Sequence, residues 1–287
     1  MSAKILVTGG SGFIGTNLID YCLSNKMEVK NIDIKQPRNQ NHFRYWEKAD
    51  IRNYDGLKKI IKDFKPTYVV HLAARADLTG KSLEDYSSNT IGVRNIVNVC
   101  NEVSSIGKVM FTSTQLVCRG GYVPNDDNDY CPPNLYGESK MIGEKLVKDA
   151  SDKLRYKWVI MRPTSIWGPW FGPTYRGFFE LILKRRYFNY TGKMATKTYG
   201  YIGNTIYQID RLLKADDNHG KTFYLGDYKP TKIKEWAQEI GGEINYSVIN
   251  IPRSIIWCSA KVGDFLKQYD IKFPMNSYRY NNMSVSY

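Results

Sequence analysis

The chain has 287 residues, enough for one full hydrophobic core and a smaller second lobe. Its hydrophobic fraction of 42% and charged fraction of 24% match an ordinary globular protein, and no apolar run approaches the ~20 residues of a membrane span. The composition therefore excludes a membrane-spanning protein and disfavours an array of many domains.

Lysine and arginine number 41 against 28 aspartates and glutamates, which gives a formal net charge of +13. The basic residues are scattered through helical segments such as 58–65, and they are not gathered in a tail or an arginine-rich stripe. We therefore expect a solvated basic surface and no nucleic-acid partner. Steering of an anionic substrate is the first alternative, and attraction to nucleic acid or anionic lipid is the second.

The cysteines and histidines disfavour disulfide and metal chemistry. The five cysteines are odd in number, widely spaced and without a Cys-x-x-Cys pair, and none of the three histidines has a partner at metal-ligand spacing. The N-terminus enters a predicted strand within four residues, which leaves no room for a secretion signal. We expect a cytoplasmic protein without a catalytic metal.

Apolar runs and helical patterns alternate along the first half of the chain. The apolar runs, which predict buried strands, are Lys4 to Val7, Val29 to Ile32, Tyr68 to Leu72, Val109 to Phe111 and Trp158 to Met161. The helical patterns between them are Phe13 to Ser24, Tyr54 to Asp63, Asn89 to Val103 and Leu135 to Ala150. This alternation predicts a doubly wound, Rossmann-like α/β fold, with a parallel sheet covered by helices on both faces.

The composition changes after Arg162-Pro163, where residues 167–173 are rich in turn formers and aromatics. We predict a Rossmann-like domain over residues 1–165 and a smaller substrate-binding lobe over 166–287, with segments near 198–228 as candidates to return to the first domain. Beyond the boundary, helical patterns lie at Phe178 to Arg185, Thr205 to Leu213, Lys232 to Ile240 and Ser254 to Gln268, and a strand pattern at Thr222 to Leu225.

A glycine-rich turn follows the first predicted strand and opens the first predicted helix. Gly9 permits a tight turn, Gly12 lets the backbone approach a pyrophosphate, and Gly15 allows close packing of the helix. The helix that begins at Phe13 and Ile14 presents free backbone amides to phosphate. The pattern predicts a dinucleotide site.

Asp33 closes the second predicted strand at about the twenty-residue interval that this fingerprint requires. Its carboxylate can accept hydrogen bonds from the adenosine ribose hydroxyls and would repel a 2′-phosphate, which favours NAD over NADP. Lys35 and Arg38 lie close enough to weaken this preference, so NADP stays open. The alternative interpretation of Asp33 is a simple turn residue at a strand end.

Tyr136 and Lys140 lie four residues apart, on one face of a predicted helix. A tyrosine has an ordinary pKa of ~10, so it acts as a base near neutral pH only if a nearby positive charge stabilises the phenolate. Lys140 and a nicotinamide cation can both supply that charge. The pair predicts acid/base chemistry, in support of hydride transfer, at a hydroxyl.

Together these motifs resemble an extended short-chain dehydrogenase/reductase of the nucleotide-sugar epimerase/dehydratase family, over nearly the whole chain. The resemblance is carried by Thr8-Gly9-x-x-Gly12-x-x-Gly15, Asp33, Asp50-Ile51, His71-Leu72-Ala73-Ala74, Asn89, residues 111–114, Tyr136-x-x-x-Lys140, and Arg162-Pro163 followed by Trp167-Gly168-Pro169.

The resemblance implies a role for each matching position. Thr114 matches the Ser/Thr that holds the reacting sugar oxygen beside the tyrosine, with Ser113 as the runner-up, and Lys140 matches the lysine that binds the nicotinamide ribose. The predicted catalytic residues are Tyr136, Lys140 and Thr114. The predicted cofactor residues are Gly9, Gly12, Phe13, Ile14, Gly15, Asp33, Ile34, Asp50, Ile51, Leu72, Ala73, Ala74, Asn89, Lys140 and Pro163. The predicted substrate residues are Gln115, Ser165 and Lys197.

Departures from the family pattern narrow the chemistry. The family commonly has Val-Tyr-Gly after the Ser/Thr strand, whereas this chain has Val117-Cys118-Arg119. The family's 4,6-dehydratases carry an Asp-Glu pair after the catalytic threonine, where this chain has Gln115 and Leu116. The resemblance therefore implies a pocket of altered shape and argues against dehydration.

The resemblance favours an NAD-dependent 4-epimerase of a nucleoside-diphosphate sugar, acting through a transient 4-keto intermediate. A 4-ketoreductase that consumes NADPH or NADH is the alternative, and a non-catalytic NAD-binding protein that contacts RNA through its positive surface is a third hypothesis. The family also suggests a homodimer in which the helices near 89–103 and 135–150 pack against their symmetry mates.

Overall fold

The computed structural model describes residues 3–192, 196–271, 273–277 and 280. Within them the chain forms two compact units. The first unit contains the residues up to Trp170 together with Gly200–Gly226, and the second contains Phe171–Tyr199 and the residues from Asp227 onward. The chain thus leaves the first unit after Trp170 and returns to it for 27 residues.

The first unit alternates strands and helices. Its strands are β1 (Lys4–Thr8), β2 (Glu28–Asp33), β3 (Trp46–Lys48), β4 (Tyr68–His71), β5 (Lys108–Thr112), β6 (Lys157–Pro163), β7 (Ser165–Trp167), β10 (Tyr199–Tyr201) and β11 (Lys221–Leu225). Its α-helices are α1 (Phe13–Ser24), α2 (Tyr54–Phe64), α3 (Ser87–Asn101), α4 (Leu135–Ala150) and α6 (Ile202–Lys214). Short 3-10 helices lie at Gln40–Tyr45, Glu84–Tyr86, Gln115–Val117 and Ser151–Lys153.

Seven strands form one parallel sheet in the order β11-β6-β5-β4-β1-β2-β3. The order reverses at β1, as in doubly wound nucleotide-binding folds. Alternate strand residues face opposite sides: Leu6 joins the apolar cluster with α2 and α3, whereas Ile5 and Val7 join the cluster with α1 and α6. The predicted α/β class, with helices on both faces of a parallel sheet, is confirmed.

One strand of this sheet was missed by the sequence prediction. It is β3, whose three residues, Trp46, Glu47 and Lys48, lack an apolar run. β11 falls within the segment near 198–228 that was named as a candidate to return to the first domain, and it pairs with β6 at the edge of the large sheet. Hydrophobic patterning reports the local conformation of a segment, but it does not report which sheet the segment joins.

The second unit contains α5 (Pro173–Leu183), β8 (Phe188–Tyr190), β9 (Thr196–Lys197), β12 (Thr231–Lys232), α7 (Ile233–Glu243), β13 (Ile249–Ile251) and α8 (Arg253–Lys267). β8 pairs with β13, and β9 pairs with β12. Aromatic rings form much of its interior: Trp236 on α7 contacts Phe178 and Phe179 on α5, with ring centroids 5.3 Å apart in each case. No helix in the described part of the chain is long and apolar enough to cross a membrane.

A buried lysine joins the sheet of the first unit to the end of α6. Lys108, at the start of β5, is 3% exposed, and its ammonium donates to the carbonyl oxygens of Leu212 and Leu213 and to Asn218 Oδ1, each at 3.1 Å. It also donates to the Ala215 carbonyl. A cation is favoured at a helix C-terminus, where carbonyl groups lack helical partners. Burial lowers the pKa of Lys108, and these acceptors offset the cost of burying its charge.

We expect Lys108→Met to lower the free energy of unfolding by about 2 to 4 kcal/mol, because it leaves several buried oxygens without a donor. Urea denaturation followed by circular dichroism measures the effect. Lys221→Met is the matched control, since Lys221 lies exposed on β11 and should change stability by less than about 0.5 kcal/mol. Equal stability of the two variants would contradict this interpretation of Lys108.

Candidate active site

Most of the predicted site residues follow strands that end at the same edge of the sheet. β1, β2, β4 and β5 end at Thr8, Asp33, His71 and Thr112. In the parallel register Thr8 pairs with Ile32 and His71, and His71 pairs with Phe111. The loops after these strands are therefore neighbours, as ligand-binding loops are at the carboxyl edge of open α/β sheets.

The glycine turn leaves a space beside the backbone that side chains at these positions would fill. Gly9 has a φ of +74°, and a Cβ there would lie 2.5 Å from the Ala73 amide nitrogen. A Cβ on Gly15 would lie 2.4 Å from the Gly9 carbonyl oxygen, so α1 packs directly against the turn. Gly12 is the N-cap residue of α1, so no capping side chain covers the start of the helix, where an anion can bind. This geometry fits a dinucleotide pyrophosphate.

The Asp33 carboxylate is held at the end of β2 by two backbone amides. Ser11 donates to Oδ2 at 3.1 Å and Lys35 donates to Oδ1 at 2.9 Å. Burial raises the pKa of Asp33, against these hydrogen bonds, which lower it. The neighbouring Ile34 is 55% exposed. Of the two cations that follow Asp33 in the sequence, Lys35 and Arg38, the second donates its guanidinium hydrogen bond to the Trp170 carbonyl. An oriented carboxylate here fits a ribose diol better than a 2′-phosphate.

Asp50 and Ile51 follow β3. The Asp50 carboxylate is held by the Arg52 guanidinium, whose hydrogen bonds lower the pKa of Asp50. The Ile51 side chain is 5% exposed and belongs to the hydrophobic core, so only its backbone can face a ligand.

The loop after β4 lies against the glycine turn. Leu72 donates its amide to the Thr8 carbonyl at 2.9 Å, and Ala73 donates to Thr8 Oγ1 at 3.3 Å. Ala74 follows in the same loop. The predicted wall of Leu72, Ala73 and Ala74 thus stands directly beside Gly9.

Asn89, at the start of α3, connects this loop to α4. Its Oδ1 accepts from the Arg75 amide, and its Nδ2 donates to the Arg75 carbonyl and to Ser139 Oγ, all at 2.9 Å. The side chain is 1% exposed, and these bonds occupy both its donor and its acceptor atoms. Asn89 therefore holds the loop and α4 in register.

Tyr136 and the Thr114 segment are brought together by close packing at the start of α4. Asn134 caps the helix, because its Oδ1 accepts from the Gly137 amide at 2.9 Å. A Cβ on Gly137 would lie 2.2 Å from the Leu116 carbonyl oxygen, so only glycine allows this approach. The Tyr136 ring lies 6.3 Å from the ring of Tyr86, measured between centroids.

The two candidate hydroxyls after β5 face different surroundings. Thr114 Oγ1 accepts from the Leu116 amide at 3.2 Å, which orients the hydroxyl and leaves its hydrogen available. Ser113 Oγ is buried without a protein partner and lines a cavity beside Lys140. Gln115 begins the 3-10 helix that follows Thr114. The available hydrogen of Thr114 and the burial of Ser113 Oγ favour Thr114 over Ser113 as the hydroxyl that would hold a reacting oxygen.

The other predicted residues are more dispersed. Pro163 is buried at the end of β6, and Ser165 is half-buried on β7. Lys197 lies in the second unit on β9, and burial lowers its pKa. In the part of the chain that the structure describes, no cluster of three His, Cys, Asp or Glu side chains is placed to hold a metal ion.

Lys140 is 5% exposed, and burial lowers its pKa from 10.5 to about 8, an effect that the nearby charge of Glu144 partly offsets. The ammonium form therefore still prevails at pH 7. A mostly charged lysine one helical turn from a tyrosine can stabilise the phenolate of that tyrosine.

The sequence analysis missed a buried ion pair that fixes α4 against the sheet. Glu144 and Arg162 are both buried, with Arg162 Nε at 2.9 Å from Oε1 and Nη2 at 2.7 Å from Oε2. Tyr130 also donates to Glu144 at 2.9 Å. The signal available was weak: Glu144 follows Lys140 by four residues, and Arg162 belongs to a matched motif without an assigned role.

Comparison with known proteins agrees with this geometry. A family model described as the NAD dependent epimerase/dehydratase family matches residues 5–226. A 3-beta-hydroxysteroid dehydrogenase from Mycolicibacterium neoaurum is 25% identical over 83% of this chain and 69% of its own. The N-acetyl-alpha-D-glucosaminyl-diphospho-ditrans,octacis-undecaprenol 4-epimerase of Escherichia coli O157:H7 is 27% identical over 86% of this chain and 74% of its own.

Among solved structures, the UDP-glucose 4-epimerase of Thermotoga maritima with UDP-glucose superposes with a TM-score of 0.74. The identity is 22%, over 87% of this chain and 85% of that one, and this likeness shows a shared fold. The family match covers both the glycine turn and the Tyr136–Lys140 helix, and it confirms the resemblance found in the motifs. The chain belongs to the NAD dependent epimerase/dehydratase family.

Proposed function

We propose that this enzyme is a nucleoside-diphosphate-sugar 4-epimerase that acts through a transient 4-keto sugar. The observation that carries the proposal is the packing of the α4 N-terminus on the Thr114 segment. This packing supports a grouping of Tyr136, Lys140 and Thr114 near the sheet edge at which β1 and β2 end, beside the glycine turn and Asp33. A reactive hydroxyl and a dinucleotide would meet at such an edge.

NAD fits this edge, and when bound it supplies a reversible hydride acceptor. Gly9, Gly12 and Gly15 leave space for the pyrophosphate, and the uncapped start of α1 offers amides to it. Asp33 would hold the adenosine ribose, and Lys140 the nicotinamide ribose. The bond from Arg38 to the Trp170 carbonyl and the fixed Asp33 carboxylate both favour NAD over NADP.

The chain's own residues would handle the proton. The Tyr136 phenolate removes the proton of the sugar C4 hydroxyl as hydride leaves C4, and it returns the proton when hydride is delivered to the opposite face. Thr114 holds the reacting oxygen through its hydroxyl hydrogen. The Lys140 ammonium favours the phenolate form of Tyr136.

The relatives support chemistry at a hydroxyl-bearing carbon and differ in substrate. One is named for a hydroxysteroid, and the other for a 4-epimerisation of a sugar joined through a diphosphate to a polyprenol. A sugar diphosphate agrees with the +13 charge of this chain, because an anionic substrate gains from a positive surface.

A 4-ketoreductase is the second candidate, since the same three residues serve a hydride step in one direction. A non-catalytic NAD-binding protein is less favoured, because a passive binder has no use for a buried Lys140 one helical turn from Tyr136. Net turnover of the cofactor separates these functions.

Purified protein with NAD should convert UDP-glucose or UDP-N-acetylglucosamine to its C4 epimer, without net change in absorbance at the nicotinamide band. Proton NMR identifies the product. Steady stoichiometric consumption of reduced cofactor with a 4-keto sugar would reject the epimerase in favour of a reductase. Steady stoichiometric formation of reduced cofactor with a 3-hydroxysteroid would reject it in favour of a dehydrogenase. Binding of NAD without turnover of any of these substrates would support a non-catalytic NAD-binding protein.

Tyr136→Phe should lower kcat by at least about 100-fold and leave NAD affinity within about threefold, because it removes only the proton-transfer group. Tyr207→Phe is the matched control, since Tyr207 is 62% exposed on α6 and should retain full activity. Retention of activity in Tyr136→Phe would contradict the mechanism.

Lys140→Met should abolish activity and raise stability. The pKa of Lys140 is about 8 in the folded protein and 10.5 in the reference state, so the unfolded chain binds more protons between these values. Wild-type stability should therefore gain up to about 3 kcal/mol as the pH rises from 8 to 10.5, and the variant should lack this gain. Denaturant titrations across this range test it. Lys145→Met, exposed on the same helix, is the control and should keep the wild-type pH dependence.

We also propose a homodimer in which α3 and α4 pack against their symmetry mates. The two helices pack against each other within the chain, and Ile91 on α3 is 46% exposed, an apolar residue suited to such a contact. Light scattering should give twice the chain mass of 33.1 kDa, and Ile91→Glu should shift it toward one chain. A wild-type monomer would contradict the proposal.

A further inference from the structure

A small cavity lies in the first unit on the inner side of Lys140. Its polar lining comes from His71, Thr112, Ser113, Lys140 and Glu144. About 10 Å³ is open to the centre of a water molecule, which is room for one water. The cavity connects the end of β4 and the end of β5 with the middle of α4.

Three polar atoms that line this cavity have no protein partner. His71 Nε2, Thr112 Oγ1 and Ser113 Oγ are all buried, and none of them has a hydrogen-bond partner among the described residues. Buried polar groups are almost always hydrogen-bonded to protein or to an ordered water. Three such atoms around a space of one water molecule indicate that a water completes their bonds.

The hydrogen bonds of Thr8 bear on which nitrogen of His71 carries the proton. Thr8 Oγ1 accepts from the Ala73 amide at 3.3 Å and lies 2.7 Å from His71 Nδ1. Donation of its single hydrogen to Nδ1 would place the proton of the neutral ring on Nε2, and this tautomer is part of the inference below. Burial, reinforced by the charge of Lys140, lowers the pKa of His71 to about 3, so the ring is neutral at pH 7.

The ring and the ammonium therefore both present donors to the cavity. Two donors cannot bond to each other, and an oxygen between them can accept from both. The charged and titratable groups that face Lys140 are His71 on β4 and Glu144 on α4, and the Glu144 carboxylate is held by Arg162 on β6. Within the described residues, the Glu144 oxygens are bound by Arg162 and Tyr130 and form no ion pair with Lys140.

We propose that this cavity is a fixed water site and that His71, through the water, positions the Lys140 ammonium for the proposed function. The water accepts from His71 Nε2–H and from Lys140 Nζ, and it donates to the Thr112 and Ser113 hydroxyls. His71 is thus a positioning residue, because it reaches the reacting groups only through Lys140. Its bond to Thr8 also ties Lys140 to the strand that carries the glycine turn.

The consequence concerns the charge on Lys140. A buried ammonium that loses a hydrogen-bond acceptor gives up its proton more readily. Loss of the water should therefore weaken the support that Lys140 gives to the Tyr136 phenolate. The pH at which the base becomes active should rise.

Two measurements test the water site without any activity. A crystal structure of the enzyme at about 1.5 Å should show a water within about 3.2 Å of both His71 Nε2 and Lys140 Nζ. Nitrogen-15 NMR of the histidine rings should show His71 protonated on Nε2. An empty cavity, or His71 protonated on Nδ1, would overturn the proposal even if the epimerase assignment is right.

The pH profile of kcat/KM tests the positioning role. His71→Leu should move the acid limb up by at least about half a pH unit, and His71→Gln, which restores a donor, should recover most of the shift. Ser113→Ala, a milder change, should shift the limb in the same direction. Thr222→Val is the matched control, since it removes a buried hydroxyl without a partner on β11 and should leave the limb unchanged. The positioning role of His71 would be rejected if kcat/KM fell in His71→Leu, His71→Gln and Ser113→Ala while the acid limb of the pH profile stayed at its wild-type pH.

Discussion

The parallel direction of the strands is the constraint on which the rest of the structure depends. Because β1, β2, β4 and β5 all run the same way, their carboxyl ends bring Thr8, Asp33, His71 and Thr112 to one edge. Thr8 and His71, 63 positions apart in the sequence, become paired neighbours on adjacent strands in this way. The glycine turn, the Asp33 carboxylate and the Thr114 segment then need only short loops to face one ligand.

The buried cations of the first unit differ in whether the protein supplies acceptors for them, and this difference separates structural cations from the reactive one. Lys108 is surrounded by oxygen acceptors at the end of α6, and Arg162 is paired with Glu144, so both charges are matched within the protein. Among the residues that the structure describes, Lys140 has no such acceptor, since the nearby Glu144 carboxylate is bound to Arg162 and Tyr130. A buried charge left without a protein acceptor costs stability, and active sites are where proteins retain such costs.

The local features of the site could be predicted from the sequence, and its long-range pairs could not. The turn at Gly9, the strand end at Asp33 and the spacing of Tyr136 and Lys140 are patterns within a few residues, which periodicity and turn chemistry report directly. The return of the segment near 198–228 could be named only as a candidate, and the pairing of Arg162 with Glu144 was missed, because both depend on tertiary packing. Lysine at position 108 gives no sequence signal of burial, because lysines are usually exposed. His71 stood in a recognised motif, but its neutral ring and its cavity became visible only with coordinates.

The central claim is that Tyr136 and the cofactor act on the same sugar carbon. A crystal structure with NAD and a nucleoside-diphosphate sugar tests it most directly. The account predicts the Tyr136 hydroxyl within about 3.2 Å of the C4 oxygen of the sugar, and the hydride-accepting carbon within about 3.5 Å of the sugar C4. A complex in which the Tyr136 hydroxyl and the nicotinamide face separate cavities would contradict it.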